Sequence, residues 1–87
     1  MYEYDKECLR VFLEDQEQLF DTSIVSTMAE AKEFLEDAMA AIVDTREQVK
    51  EYFEINGTDT AGMPMEEILS QSEVFALPSG RYLIVEG

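Results

Sequence analysis

Histidine and tryptophan are absent from this chain, cysteine occurs once, and six basic side chains stand against twenty acidic ones. Each shortage removes a class of chemistry. Without histidine, the side chain that most often moves protons near neutral pH or ligates zinc is missing, and one cysteine cannot complete a soft-ligand metal site. The same lone cysteine, Cys8, has no partner for an internal disulfide, so a reducing compartment is expected. Cys8 also lacks the cationic setting of a nucleophile, because Asp5 and Glu7 offset Lys6 and Arg10, and it reads as a small core residue.

The scarcity of lysine and arginine leaves a formal charge of -14 and an isoelectric point near 4.1. Phosphate backbones and anionic lipid would repel such a chain, so neither nucleic acid nor a membrane surface is an expected partner. No apolar run approaches the roughly 20 residues that span a bilayer. The opening MYEYDKE is acidic where a secretory signal would be basic and then apolar, so a cytoplasmic protein, bacterial in style, is expected.

What remains is globular composition. Hydrophobic residues make up 46% of the chain, including five phenylalanines and four tyrosines, enough for one modest core in a single small acidic domain over residues 1–87. The expected class is α+β, with an N-terminal helix, a long central helix, a short helix and a C-terminal β-hairpin.

The first helix is expected from Asp5 to Phe20, where Cys8, Leu9, Phe12, Leu13 and Leu19 recur near helical spacing and Glu3, Asp5 and Glu7 sit at the positive end. Leu9, Val11 and Leu13 also alternate, so LRVFLED has a second reading as a strand. Thr27-Met28-Ala29-Glu30 fits a capping box. From there Ala31, Leu35, Ala38, Ile42, Thr45, Val49 and Tyr52 fall at spacings of four and three, which predicts one helix from Met28 to Ile55, closed by Asn56-Gly57. Asp44-Thr45-Arg46-Glu47 resembles a second cap, so two helices meeting near Val43 are the alternative. Pro64 opens a short helix ending near Ser72.

Pro78-Ser79-Gly80 lies between two β-rich runs, Val74 to Leu77 and Arg81 to Val85, and a three-residue hairpin loop needs a left-handed residue that Gly80 supplies. That turn sets Phe75 opposite Leu83 and Val74 opposite Ile84. Val74, Ala76, Tyr82 and Ile84 then share one face, and Phe75, Leu77, Arg81 and Leu83 share the other. Neither face is polar, so both require cover, either from the chain's own helices or from another protein.

No phosphate loop, dinucleotide fingerprint, nucleophile elbow or zinc-protease motif occurs. Close carboxylate pairs such as Glu14-Asp15, Glu36-Asp37 and Glu66-Glu67 follow from the number of acids and read as a solvated face. The loop NGTDTAG holds one acid, Asp59, and lacks a calcium-loop pattern. No catalytic, cofactor-binding or metal residue is therefore expected. The expected function is a non-catalytic interaction or regulatory module that meets a protein partner or forms a homodimer, with Phe75, Arg81, Tyr82 and Ile84 as candidate interface residues. The alternative is a small enzyme or ligand carrier, with a pocket between hairpin and long helix lined by Phe34, Tyr52, Phe75 and Tyr82.

Overall fold

The stretch from Met28 to Ile55 is not one helix. In the computed structural model, which describes residues 3–20 and 22–86, it divides into helix α2 (Met28–Asp37), strand β1 (Ala41–Val43) and helix α3 (Arg46–Ile55). Local chemistry explains both breaks. Past the end of α2, Met39 takes the left-handed conformation, φ 55°, which turns the chain out of helix without a glycine. Ala41-Ile42-Val43 then enters the sheet, where branched side chains fit better than on a helix. Thr45 restarts a helix through a capping box: its side chain accepts from the Gln48 N–H while the Gln48 side chain accepts from the Thr45 N–H.

The other elements follow the pattern more closely. Helix α1 (Lys6–Asp15) is capped by Asp5, whose carboxylate accepts from the Cys8 N–H, and it runs into a 3-10 turn at Gln16–Gln18. LRVFLED is thus helical. The Thr27 and Glu30 capping box forms in full at the start of α2. Helix α4 (Met65–Leu69) follows Pro64, and strands β2 (Val74–Ala76) and β3 (Tyr82–Ile84) form the hairpin. Gly80 is left-handed, φ 94°, and the Val74–Ile84 and Phe75–Leu83 pairings are those the turn dictates.

β1 joins β3 antiparallel, with Ala41 opposite Ile84 and Val43 opposite Tyr82, so the sheet order is β1-β3-β2. This α+β fold is a sheet between two helical layers. On one face Phe75, Leu77, Leu83 and Val85 pack with Cys8, Leu9 and Phe12 of α1 and Ala31 and Leu35 of α2. On the other, Ala41, Val74 and Ile84 pack with Val49 and Phe53 of α3 and Ile68 of α4. Both apolar faces of the hairpin are covered by helices of the same chain.

Aromatic stacking fixes the first layer. Phe12 lies parallel to Phe34 at 5.3 Å between ring centres and meets Phe75 edge-on at 5.5 Å. Phe34 in turn meets Phe20 edge-on at 5.5 Å. Polar closure comes from Gln16, only 2% exposed. Its Oε1 accepts from the N–H groups of Ile24 (2.7 Å) and Val25 (3.0 Å), and its Nε2 donates to the carbonyls of Leu13 (2.9 Å) and Val25 (3.0 Å). One side chain thereby ties the end of α1 to the segment that leads into α2.

Candidate functional site

Of the four residues expected at an interface, Phe75 and Ile84 are fully buried, one on each face of the sheet, so in this fold they are core residues. Arg81 and Tyr82 retain partial exposure. The pocket expected between Phe34, Tyr52, Phe75 and Tyr82 does not assemble, because Phe34 and Phe75 belong to the layer under α1 and α2 while Tyr52 and Tyr82 belong to the layer under α3. The sheet separates the two pairs.

Arg81 is held where the hairpin meets the start of α1. Its guanidinium donates to Asp5 Oδ2 at 2.9 Å and to Glu7 Oε1 at 2.7 Å, and Nε donates to Ser79 Oγ at 3.0 Å. Ser79 completes the cluster, donating its hydroxyl to Glu7 Oε1 at 2.6 Å and its N–H to Glu7 Oε2 at 3.1 Å. Both carboxylates are held below their ordinary range: Asp5 chiefly by the Cys8 N–H, Glu7 chiefly by the Ser79 hydroxyl, with Arg81 aiding each. A general acid needs the opposite shift. The cluster is a clasp between α1 and the hairpin tip.

The clasp has a signed pH dependence. Groups whose folded pKa is depressed contribute stability above their unfolded pKa, near 4, and lose it as pH falls through the folded value. Arg81→Met should therefore lower the thermal midpoint by a few degrees at neutral pH, in keeping with a partly exposed ion pair. Measured by circular dichroism, the gap to the parent should close as pH falls below about 4. A gap unchanged down that range would assign the effect of Arg81 to packing alone.

Cys8 sits beside this clasp, free and buried. Burial, with the Asp5 carboxylate next to it, pushes the thiol up to about 11. In mildly alkaline buffer a thiol-reactive disulfide reagent should leave Cys8 unmodified in the native protein and label it fully in urea. Rapid labelling of the native form would contradict the burial.

One cavity among the described residues is small, about 70 Å³, and is lined by Phe53, Thr58, Thr60, Met63, Ile68, Gln71 and Glu73. Ligand pockets run to about 300 Å³ and above. Thr60, buried here, donates its hydroxyl to Glu54 Oε2 at 2.8 Å and so pins the loop from Asn56 to Gly62 against α3. Among the described residues no group of three or more acidic or cysteine side chains converges as metal ligands, and no helix is long and apolar enough to cross a membrane.

The surface is a further candidate. Among the described residues no carboxylate is buried, and all but Glu7 and Glu73 are exposed. The sheet edges differ from each other. Along β2 the side chain of Gln18 takes the place of a neighbouring strand, donating Nε2 to the carbonyls of Val74 (2.7 Å) and Ser72 (3.1 Å). Gln16 and Gln18 both lie in EDQEQ, whose composition signals helix and gives no sign that one glutamine would be buried and the other would close a strand. No family model matches the chain, and neither the curated proteins nor the solved structures contain a match.

Proposed function

We propose that this protein is a non-catalytic interaction module whose acidic surface receives a cationic segment of another protein. The observation that carries the reading is the exposure of the described carboxylates around a fold that covers its own apolar faces. At a net charge of -14, the long-range field attracts and orients basic partners and repels nucleic acid, anionic lipid and further copies of the chain. Asp5 and Glu7, stabilised in the ionised form, are poorly suited to serve the enzyme alternative as general acids. The cavity offers no room for a substrate and a catalytic group together.

The test is calorimetric titration with a short peptide alternating lysine and valine, at about 0.05 M and about 0.15 M salt. The expected result is saturable one-to-one binding that weakens severalfold at the higher salt. Absent binding, or an unsaturable association that scales only with charge, would mean that the acidic surface serves solubility and would overturn the reading.

A further inference from the structure

Among the described residues, strand β1 is the edge left open at Ile42. The bonds Val85 N–H to Glu73 O and Leu77 N–H to Arg81 O, both 2.9 Å, mark the bonded pairs of the hairpin. Antiparallel pairing alternates, so Phe75–Leu83 is bonded as well, and the backbone groups of Tyr82 and Ile84 turn toward β1. With Ala41 opposite Ile84 and Val43 opposite Tyr82, those two residues of β1 bond to β3, and the N–H and C=O of Ile42 face outward.

Residues on either side of Ile42 are satisfied from within. The Ala40 carbonyl accepts from the Tyr4 hydroxyl, the Ala40 N–H donates to Leu35 O at 3.1 Å, and the Asp44 N–H donates to Gln48 Oε1 at 2.7 Å. Among the described residues no side chain reaches the outward groups of Ile42. Beside this gap stands Met39, 80% exposed and left-handed at φ 55°. Methionine adopts that conformation at a cost glycine does not bear, and its exposed side chain adds apolar surface three residues before Ile42.

We infer that an extended basic segment of a partner protein adds to the sheet at β1, bonding to the Ile42 backbone and laying an apolar side chain on Met39. This rests on the proposed function and gives it a location. Charge selects the occupant: Glu36, Asp37, Asp44 and Glu47 flank the edge and are exposed, with Arg46 the one base among residues 36–47 and already paired with Glu47 at 3.5 Å. A second copy would bring the same acids to the same place. Strand addition of this kind draws affinity from main-chain bonds and specificity from alternate side chains.

The alternating lysine-valine peptide serves as the probe, with amide exchange and backbone chemical shifts followed by NMR. The expected result is slowing of Ile42 N–H exchange by about tenfold or more, with shifts centred on residues 39–44. The same peptide methylated at every backbone nitrogen, equal in charge but without a strand donor on either edge, should bind about tenfold more weakly. Met39→Gly, which removes the side chain and relieves the backbone, should weaken binding severalfold without loss of fold. Saturable binding with Ile42 exchange unchanged and shifts spread over the helices would overturn the edge assignment and leave the acidic-module reading standing. No saturable binding would overturn both. A doubled mass by light scattering without peptide, with Ile42 protected, would give the edge to a second copy and overturn the inference.

Discussion

Phe12→Ala should destabilise the protein by about 3–5 kcal/mol and lower its thermal midpoint on the order of 20 °C. Phe12 is fully buried and joins three elements: its own helix, Phe34 of α2 by parallel stacking and Phe75 of β2 by an edge contact. Truncation removes the ring's apolar burial, both aromatic contacts and the volume between α1 and the sheet, in a domain whose total stability is itself about 4–13 kcal/mol by size. Urea denaturation followed by circular dichroism reads the effect directly. Phe12→Leu, which retains much of the volume, should lose about a third as much. Equal losses for the two variants would show that stacking geometry outweighs cavity formation at this site.

Gln16→Leu should cost about 2–4 kcal/mol although leucine is the more hydrophobic side chain and nearly the same size. The change strands the N–H groups of Ile24 and Val25 and the carbonyls of Leu13 and Val25, and both Val25 groups lie where water does not reach. An unmet buried donor or acceptor forfeits its hydration with nothing in return, which outweighs the gain from extra apolar surface. Gln16→Glu makes a sharper comparison. Its carboxylate keeps the two acceptor positions but faces two carbonyls, so the variant should be weakest at neutral pH and recover as pH falls and the group regains a proton to donate. Chemical denaturation of the three proteins across that range is the measurement. A neutral Gln16→Leu would mean that the segment after α1 re-forms its bonds elsewhere.

The hairpin was legible in the sequence because its geometry is local. A left-handed glycine at position 80 and two branched or aromatic runs fix the pairing, and counting outward from the turn gives the register found. The long helix failed for a related reason. Apolar residues at spacings of four and three run from Ala31 through Ile42 to Val49, yet Ala31 and Leu35 pack on one face of the sheet and Val49 on the other. A periodicity that links two different cores has no single helix behind it. The one marker of the break read from the sequence was the Thr45 cap; the branched pair Ile42-Val43 is a second, in a stretch from 28 to 55 that holds no glycine or proline. Met39 fills the position where glycine would have announced the turn.

The roles of Gln16, Gln18 and the open edge were not legible, because they depend on which backbone groups the tertiary fold leaves unmet. Phe75 and Ile84 show the converse. Their apolar character was plain, but whether a helix of the same chain or another protein covered them turned on the path of the chain between Asp37 and Arg46. The Arg81 clasp likewise joins residues more than seventy positions apart, Asp5 and Glu7 with Arg81, a pairing that no local pattern encodes.

The strand latest in the sequence is the middle of the sheet. On a ribosome, everything up to Gly80 can emerge and α1, α2, α3 and α4 can flicker into being, but β1 and β2 have no strand between them and neither helical layer has its floor. Completion of the sheet therefore waits for Tyr82, Leu83 and Ile84, with β1 reaching across the length of two helices to its mate, a pairing of long sequence separation of the kind that slows folding. A chain stalled or cut before Tyr82 would carry the full negative charge of its helices with no core to organise them, and the quality-control proteases of a cell would meet it as an unfolded polypeptide.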